Sequence, residues 1–481
     1  YQQLMQLIEE KIKAGDLVPG RALPAERKLA EELQVNRSTV IRALEELTTQ
    51  GILIRKRGSG TFVNPNKWGM QTRPTINWRT SLIPDNLSVD TPYQRDVKQL
   101  LARHKTREIL DLGNGDLPKD LLPELKIPDI SLGEMLLGEA TFTKENRGIK
   151  ATRESVQKYL RTAYGMTVPL EEIFITSGTQ QSLFLITQGL LKPGDAIGIE
   201  APSYFYSLRL FQAAGLRIIP IPMDDEGMTV KGLQEASLQY PLKMIFLNPI
   251  FQNPTGTVMS PERKQAILDY CLLKRIPIVE DDAYGSFVFD ESVDNRPLKS
   301  LDKRQQVLYL GSLSKFAGQH IRIGWMVGPA AIVRELADIR DQIDSGLSFL
   351  PQLLAEHYLA SEITEHLPII VTALKERADK LQTWLRTKYG QEISFEPAKG
   401  GYHLYCHFAN KTDAEMDELL QELLEEKVIV KEGIQFGDKK NAVRFSFGHF
   451  FRAGCKDLSQ EANLLTSLFD NKKYVYKINN T

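Results

Sequence analysis

Gly311-Ser312-Leu313-Ser314-Lys315, followed seven residues later by Arg322, puts three kinds of chemistry in one short stretch. A lysine amine condenses with an aldehyde to give a Schiff base, while serine hydroxyls and a guanidinium suit a phosphate. An aldehyde and a phosphate on one small molecule describe pyridoxal 5'-phosphate. Alone, such a cluster is in most proteins a solvated loop lysine. Its companions upstream narrow the choice.

Four more polar motifs each follow an apolar, strand-like run. Thr176-Ser177-Gly178-Thr179-Gln180-Gln181 follows Ile173-Phe174-Ile175 and opens a helix, where free N–H groups and a hydroxyl make a phosphate cradle. Glu200-Ala201-Pro202-Ser203-Tyr204 follows Ala196-Ile197-Gly198-Ile199 and offers an aromatic ring to a flat heterocycle. Asn253, in the Asn248–Gly256 segment after Lys243-Met244-Ile245-Phe246-Leu247, suits a phenolic oxygen. Glu280-Asp281-Asp282-Ala283-Tyr284 follows Ile276-Pro277-Ile278-Val279. A carboxylate there keeps a pyridine nitrogen protonated and makes the ring an electron sink. Tyr284 is placed to share the bond to the phenolic oxygen. Singly, these are also a helix start, a turn or paired solvated acids. Together with Lys315 they follow the order that one pyridoxal phosphate site requires.

The alternation of strand-like and helical runs, continued by Val307-Leu308-Tyr309-Leu310 and Gly324-Trp325-Met326-Val327, calls for an α/β domain. Its sheet is mostly parallel and covered on both faces. In such sheets ligands sit beyond the C-terminal strand ends, where these motifs fall.

With 481 residues the chain divides into two or three domains. Its 60 basic and 61 acidic residues leave no global field for nucleic acid or membrane, so contact with DNA needs a local patch. No apolar run reaches the ~18–20 residues that span a bilayer, and no secretory signal opens the chain. Cys271, Cys406 and Cys455 lack metal or redox spacing, and their odd number argues against a disulfide framework. The expected location is cytoplasmic.

The first 63 residues read as a separate module. Leu4, Leu7, Ile8 and Ile12 give one amphipathic helix. A second begins near Pro24, with Ala25 at a cap position it cannot fill. A third, capped by Asn36, buries Val40, Ala43, Leu44 and Leu47 and leaves Arg37, Ser38, Thr39 and Arg42 at its exposed start. This is a helix-turn-helix, whose second helix reads the major groove from its N-terminal end. Two β-like runs around Arg55-Lys56-Arg57-Gly58-Ser59-Gly60 make a basic wing suited to phosphates. A generic three-helix domain with a charged face satisfies the same periodicity. Residues 64–107 form a polar tether with a short helix around Asp96–His104, long enough to reach a neighbouring subunit. Residues 108–481 form the large domain.

Leu23-Pro24-Ala25-Glu26-Arg27-Lys28-Leu29-Ala30, Val35-Asn36-Arg37-Ser38-Thr39-Val40 and Gly58-Ser59-Gly60-Thr61-Phe62-Val63 together resemble the winged helix-turn-helix of the GntR family of bacterial regulators. That resemblance implies DNA contacts by Arg27, Arg37, Ser38, Thr39 and Arg42, with Arg57, Gly58, Ser59 and Gly60 of the wing along the backbone. Family members usually carry Ser where Ala25 stands, and they begin a few residues before Tyr1, so the chain is expected to start short.

The five polar motifs resemble the fold-type I aminotransferases (aspartate aminotransferase and the aminoadipate/kynurenine group), with a smaller C-terminal α/β subdomain. The resemblance implies that Lys315 forms the internal aldimine and Asp281 pairs with the pyridinium. It gives Asn253 and Tyr284 the ring oxygen, and Tyr204 the ring face. Gly178, Thr179, Gln180, Ser312, Ser314 and Arg322 then hold the phosphate. Arg444 matches an arginine that forks onto an α-carboxylate, and Gly115, in Gly113-Asn114-Gly115-Asp116, matches a glycine lining the substrate. These two also read as a strand arginine and a turn. Two departures are Gln319-His320-Ile321 in place of Pro-Gly-Leu before the phosphate arginine, and Phe142 in place of a tyrosine that reaches the partner's phosphate.

Both halves together resemble the MocR group. That implies a homodimeric, pyridoxal phosphate-dependent transcription regulator that binds operator DNA and senses an amino compound or pyridoxal phosphate itself, without a membrane. A working aminotransferase with an attached DNA-binding domain shares every cofactor residue. A cofactor-free dimerisation scaffold is the third alternative.

Overall fold

The computed structural model describes residues 1–13, 16–56, 58–65, 90–104, 109–125, 133, 145–344 and 346–450. Two compact units divide the chain, Tyr1–Ser88 and Val89–Thr481.

In the first unit, α1 (Gln2–Lys13), α2 (Glu26–Glu32) and α3 (Arg37–Thr49) precede a hairpin of β1 (Leu53–Lys56) and β2 (Gly60–Val63). Val40, Ala43, Leu44 and Leu47 of α3 are at most 1% exposed and pack with Leu4, Ile8, Leu53 and Val63. Each buried leucine contributes roughly 2 kcal/mol by leaving water. Leu7, expected in the stripe of α1, is instead exposed. Asn36 caps α3 by accepting from the N–H of Ser38, whereas Ala25 gives α2 no side-chain cap. One feature goes beyond the periodicity. The segment before α2 adds an edge to the wing, since Leu23 N–H donates to the Thr61 carbonyl and Ala22 bridges Phe62.

In the second unit, α4 (Pro92–Arg103) starts at Thr91 in a capping box with Gln94 and begins earlier than expected. It is bound to this unit. Tyr93 is buried and its hydroxyl accepts from the N–H of Val430 at 3.0 Å, while Thr91 Oγ1 donates to Glu432. After the short β3 (Leu110–Asp111) come β4 (Ile173–Thr176), β5 (Ala196–Ala201), β6 (Arg217–Asp224), β7 (Gly227–Met228), β8 (Leu242–Leu247), β9 (Ile278–Asp282), β10 (Val307–Ser312) and β11 (Gly324–Val327). They form one sheet in the order β4-β11-β10-β9-β8-β5-β6-β7. Strands β10, β9, β8, β5 and β6 are mutually parallel, and β11 is antiparallel to both β4 and β10. Strand β4 therefore runs with β10, and six strands end at the same edge.

A second layer follows the 27-residue helix Ile363–Tyr389. Strands β12 (His403–His407), β14 (Lys431–Glu432) and β15 (Ala442–Ser446) form an antiparallel sheet, and β13 (Val428–Ile429) pairs with β3. The β3 pairing leads the chain past Gly113 and Gly115 to the main sheet. Cys271 and Cys406 are free and buried, and Cys455 lies outside the described residues.

Candidate functional site

The common strand edge encloses a cavity of about 330 Å³, lined by residues from five strand ends and from both layers. From β4 and the helix Thr179–Leu190 come Gly178, Thr179 and Gln180; from β5 comes Tyr204. Asn253 follows β8, Asp281 and Tyr284 belong to β9 and its exit, and Ser312, Ser314, Lys315 and Arg322 follow β10. Gly115 and Arg444 close it from the C-terminal layer. All thirteen residues expected at this site thus line one cavity.

Gly178 holds the turn after β4 in a conformation that disfavours a side chain, with φ +89°. A Cβ on the adjacent Gly324 would stand 2.8 Å from Gly178 Cα, so two bare glycines let the β4 and β11 ends touch. Arg322 crosses this turn and donates to the Ser177 carbonyl at 3.0 Å. Thr179, Ser312, Ser314 and the opening of the Thr179–Leu190 helix surround it with donors, a set suited to a phosphate.

Lys315 Nζ donates to the Gly115 carbonyl at 2.6 Å and lies 3.7 Å from Asp116 Oδ1. Burial lowers its pKa, against the opposing pull of Asp116. Opposite it, Asp281 is pushed up to about 7, by burial first and then by Asp282, with Lys315 opposing. Its Oδ1 is buried and has no partner among the described residues. A buried carboxylate oxygen left so costs free energy until a donor arrives. A protonated ring nitrogen is such a donor.

Arg444 is 5% exposed and donates from Nη1 to Asn253 Oδ1 at 2.9 Å and from Nη2 to the Gly113 carbonyl at 2.7 Å. Its Nε is buried without a partner among the described residues, and burial lowers its pKa to about 10. With Asn253 Oδ1 engaged, the amide N–H groups are what this side chain presents to the cavity. Gln180 reaches the Tyr204 hydroxyl at 3.4 Å. The donors and the orphaned acceptor therefore fit a molecule with a phosphate, a ring oxygen and a cationic ring nitrogen.

Sequence reasoning passed over Asp116, Asn248 and His403. Asn248 donates to the Asp281 carbonyl and accepts from the Asn253 N–H, bracing two neighbours. Asp116 had a cue, being next to Gly115. His403 had none, since only the packing of the two layers brings it to Tyr284, 119 residues away in the chain. Phe142 lies outside the described residues, while Gln319 lines the cavity.

In the first unit, Arg27, Arg37, Ser38 and Arg42 are exposed on α2 and α3, and Thr39 is half-buried. Arg27 pairs with Glu31 at 3.2 Å and Arg37 with Glu26 at 3.7 Å. The Arg42 guanidinium stacks 4.3 Å above the Tyr1 ring. Gly58, Ser59 and Gly60 form the exposed tip of the hairpin, and Arg57 lies outside the described residues. Loose, solvated ion pairs like these are readily exchanged for phosphate.

A sheet of this order with a lysine at its cavity defines a fold-type I aminotransferase-like domain, here preceded by a winged helix-turn-helix. Residues 107–450 match the family Aminotransferase class I and II, and residues 1–63 match Bacterial regulatory proteins, gntR family. The chain is 35% identical over 456 residues to the HTH-type transcriptional regulator YisV of Bacillus subtilis, covering 93% of this chain and 92% of YisV. It is 32% identical over 463 residues to YdfD of the same organism, covering 96% and 94%. Among solved structures, kynurenine aminotransferase of Pyrococcus horikoshii in complex with PMP superposes with a TM-score of 0.69. It is 27% identical and covers 82% of this chain and 98% of its own. The chain belongs to the HTH-type transcriptional regulators, of MocR type, that join a GntR helix-turn-helix to an aminotransferase class I and II domain. No helix among the described residues is long and apolar enough to cross a membrane.

Proposed function

We propose that this protein is a pyridoxal 5'-phosphate-dependent transcription regulator that binds operator DNA through residues 1–63 and senses an amino compound at Lys315. The observation that carries this reading is the buried Asp281 Oδ1, without a partner among the described residues, in one cavity with Lys315 and a set of phosphate donors.

In this reading Lys315 bonds the cofactor, Asp281 holds its ring nitrogen, and Asn253 and Tyr284 hold its ring oxygen. Gly178, Thr179, Gln180, Ser312, Ser314 and Arg322 hold its phosphate, and Tyr204 lies on its face. When bound, the cofactor supplies an electrophilic carbon for amines and an electron-withdrawing ring. The residues of the chain do the rest. The carbonyl of Gly115 and the carboxylate of Asp116 hold the Lys315 amine and would stabilise it as an ammonium whenever it is not bonded to the cofactor. Arg444 selects amines that carry a carboxylate, through its two-pronged guanidinium.

The regulator acts as a homodimer, the usual closed assembly for a site of this kind, with two winged helices on paired half-sites. Its effector changes DNA binding only to the extent that it binds two domain arrangements with different affinity. Arg27, Arg37, Ser38, Thr39 and Arg42 touch the operator, and Arg57, Gly58, Ser59 and Gly60 follow its backbone.

The buried Arg444 also favours a second reading, a working aminotransferase with an attached DNA-binding domain. Titrating purified protein with amino acids and amines, while following the cofactor spectrum and operator binding, separates the two. A stable spectral change coupled to altered operator affinity supports the regulator. Sustained turnover of an amino donor with a keto acid, without effect on operator binding, supports the enzyme.

A further inference from the structure

Beneath Tyr284 lies a histidine with no task in the account above. His403 opens β12, is 3% exposed, and stands between two hydroxyls. Its Nε2 is 3.0 Å from the Tyr284 hydroxyl and its Nδ1 is 3.0 Å from Ser446 Oγ. The imidazole meets the Tyr284 ring edge-on, centroids 5.1 Å apart at 82°. His403 and Ser446 are register partners in the β12–β15 pair, so the backbone fixes their meeting.

The groups facing this imidazole are Tyr284, Tyr402, Ser446 and the cations Lys315 and Arg444. Burial first, then Arg444 and Lys315, keep it neutral, with one N–H and one bare nitrogen. The Tyr284 hydroxyl lines the cavity and can give its proton to a ligand there, whereas Ser446 does not line it, so Ser446 decides which is which. It is fully buried, and among the described residues the only partner of its hydroxyl is His403 Nδ1. A hydroxyl always carries a proton, and a buried donor without an acceptor costs free energy. Ser446 therefore donates, Nδ1 is the bare nitrogen, and the N–H is on Nε2. That N–H donates to the Tyr284 oxygen and leaves the phenol's own proton for the cavity.

We propose that His403 is a positioning residue that holds the Tyr284 hydroxyl as an acceptor, so that its proton points at an oxyanion of the bound ligand. The inference rests on the cofactor reading, in which that oxyanion is the ring oxygen of pyridoxal phosphate. The relay Ser446→His403→Tyr284 runs one way, each member donating to the next. Nothing is transferred; the chain fixes where the last proton lies.

The test compares affinities of the full chain for pyridoxal phosphate and for its 3-deoxy analogue, which lacks the ring oxygen. His403→Phe keeps the ring volume but not the donor, and is expected to weaken pyridoxal phosphate about tenfold while sparing the analogue. His403→Gln, whose amide N–H stands near the Nε2 position, is expected to stay within about threefold of the parent. Ser446→Ala frees the imidazole to turn its N–H the other way and is expected to lie between them, again only for the oxygen-bearing ligand. It keeps the test decisive if His403→Phe does not fold. An equal loss for both ligands marks His403 as mere packing and overturns the proposal, as does an unaffected His403→Phe. A parent protein that takes up neither ligand overturns the cofactor reading itself, a failure seen before any variant is made.

Discussion

Arg444 Nη1 donates to Asn253 Oδ1 across 2.9 Å, joining the two sides of the cavity by one hydrogen bond. The guanidinium proposed to take a ligand carboxylate is thereby tied to the amide proposed to face the ring oxygen.

Arg444→Lys keeps a positive charge but loses the fork and the contact with Asn253. Effectors bearing a carboxylate are expected to bind roughly 10- to 100-fold more weakly, while plain amines change little. Spectral titrations with an amino acid and its decarboxylated amine check this. Equal effects on both ligands contradict the assignment.

The Asp281 carboxyl, raised to about 7 by burial, makes a prediction about pH. In the unfolded chain it ionises near its ordinary value of 3.8, so between about pH 4 and 7 the folded protein holds a proton that the unfolded chain has lost. Cofactor-free protein therefore loses stability as pH rises through that window. Glu200, raised to about 7, and Glu280, raised to about 8, add to the same trend. Calorimetry should show a falling Tm from pH 5 to 8, and Asp281→Asn should remove part of the fall. An unchanged slope in the variant contradicts the assignment.

Gly324→Ala places a Cβ 2.8 Å from Gly178 Cα and from the Gly311 carbonyl oxygen, neither of which is a flexible side chain. The expected cost is about 1–3 kcal/mol, together with weaker binding of the phosphate end of the cofactor. Denaturant unfolding and cofactor titration measure the two effects.

In the first unit, stability and DNA binding should separate. Leu44→Ala removes a buried anchor of α3 and should cost about 2–5 kcal/mol. Arg37→Ala breaks only an exposed pair with Glu26 and should change stability by less than about 0.5 kcal/mol. Its expected effect is on affinity for the operator, selected from random sequence, lowering it about tenfold. Unchanged operator affinity would show that the α3 start does not face DNA.

Much of this architecture was legible in the residues. The stripe of α3 and its Asn36 cap follow from local spacing, and the strand runs with their polar sequels follow from period and order. What escaped depends on distance. Strand β6 carries Pro220 and Pro222, which cannot donate to a ladder and so hide a strand. The reversal of β11 is decided by how a loop packs, which no local pattern reveals. Helix α4 looked like part of a tether because its ties, Tyr93 to Val430 and Thr91 to Glu432, span more than three hundred residues. His403 was silent for the same reason, since its role comes from Ser446 and Tyr284, which are close only in the fold.

The most direct test of the account is borohydride reduction of the purified protein supplied with pyridoxal phosphate, followed by peptide mapping. The account predicts one pyridoxyl label, on Lys315, and no label there in Lys315→Ala, which still binds operator DNA. A parent protein whose Lys315 peptide comes back unlabelled would contradict it.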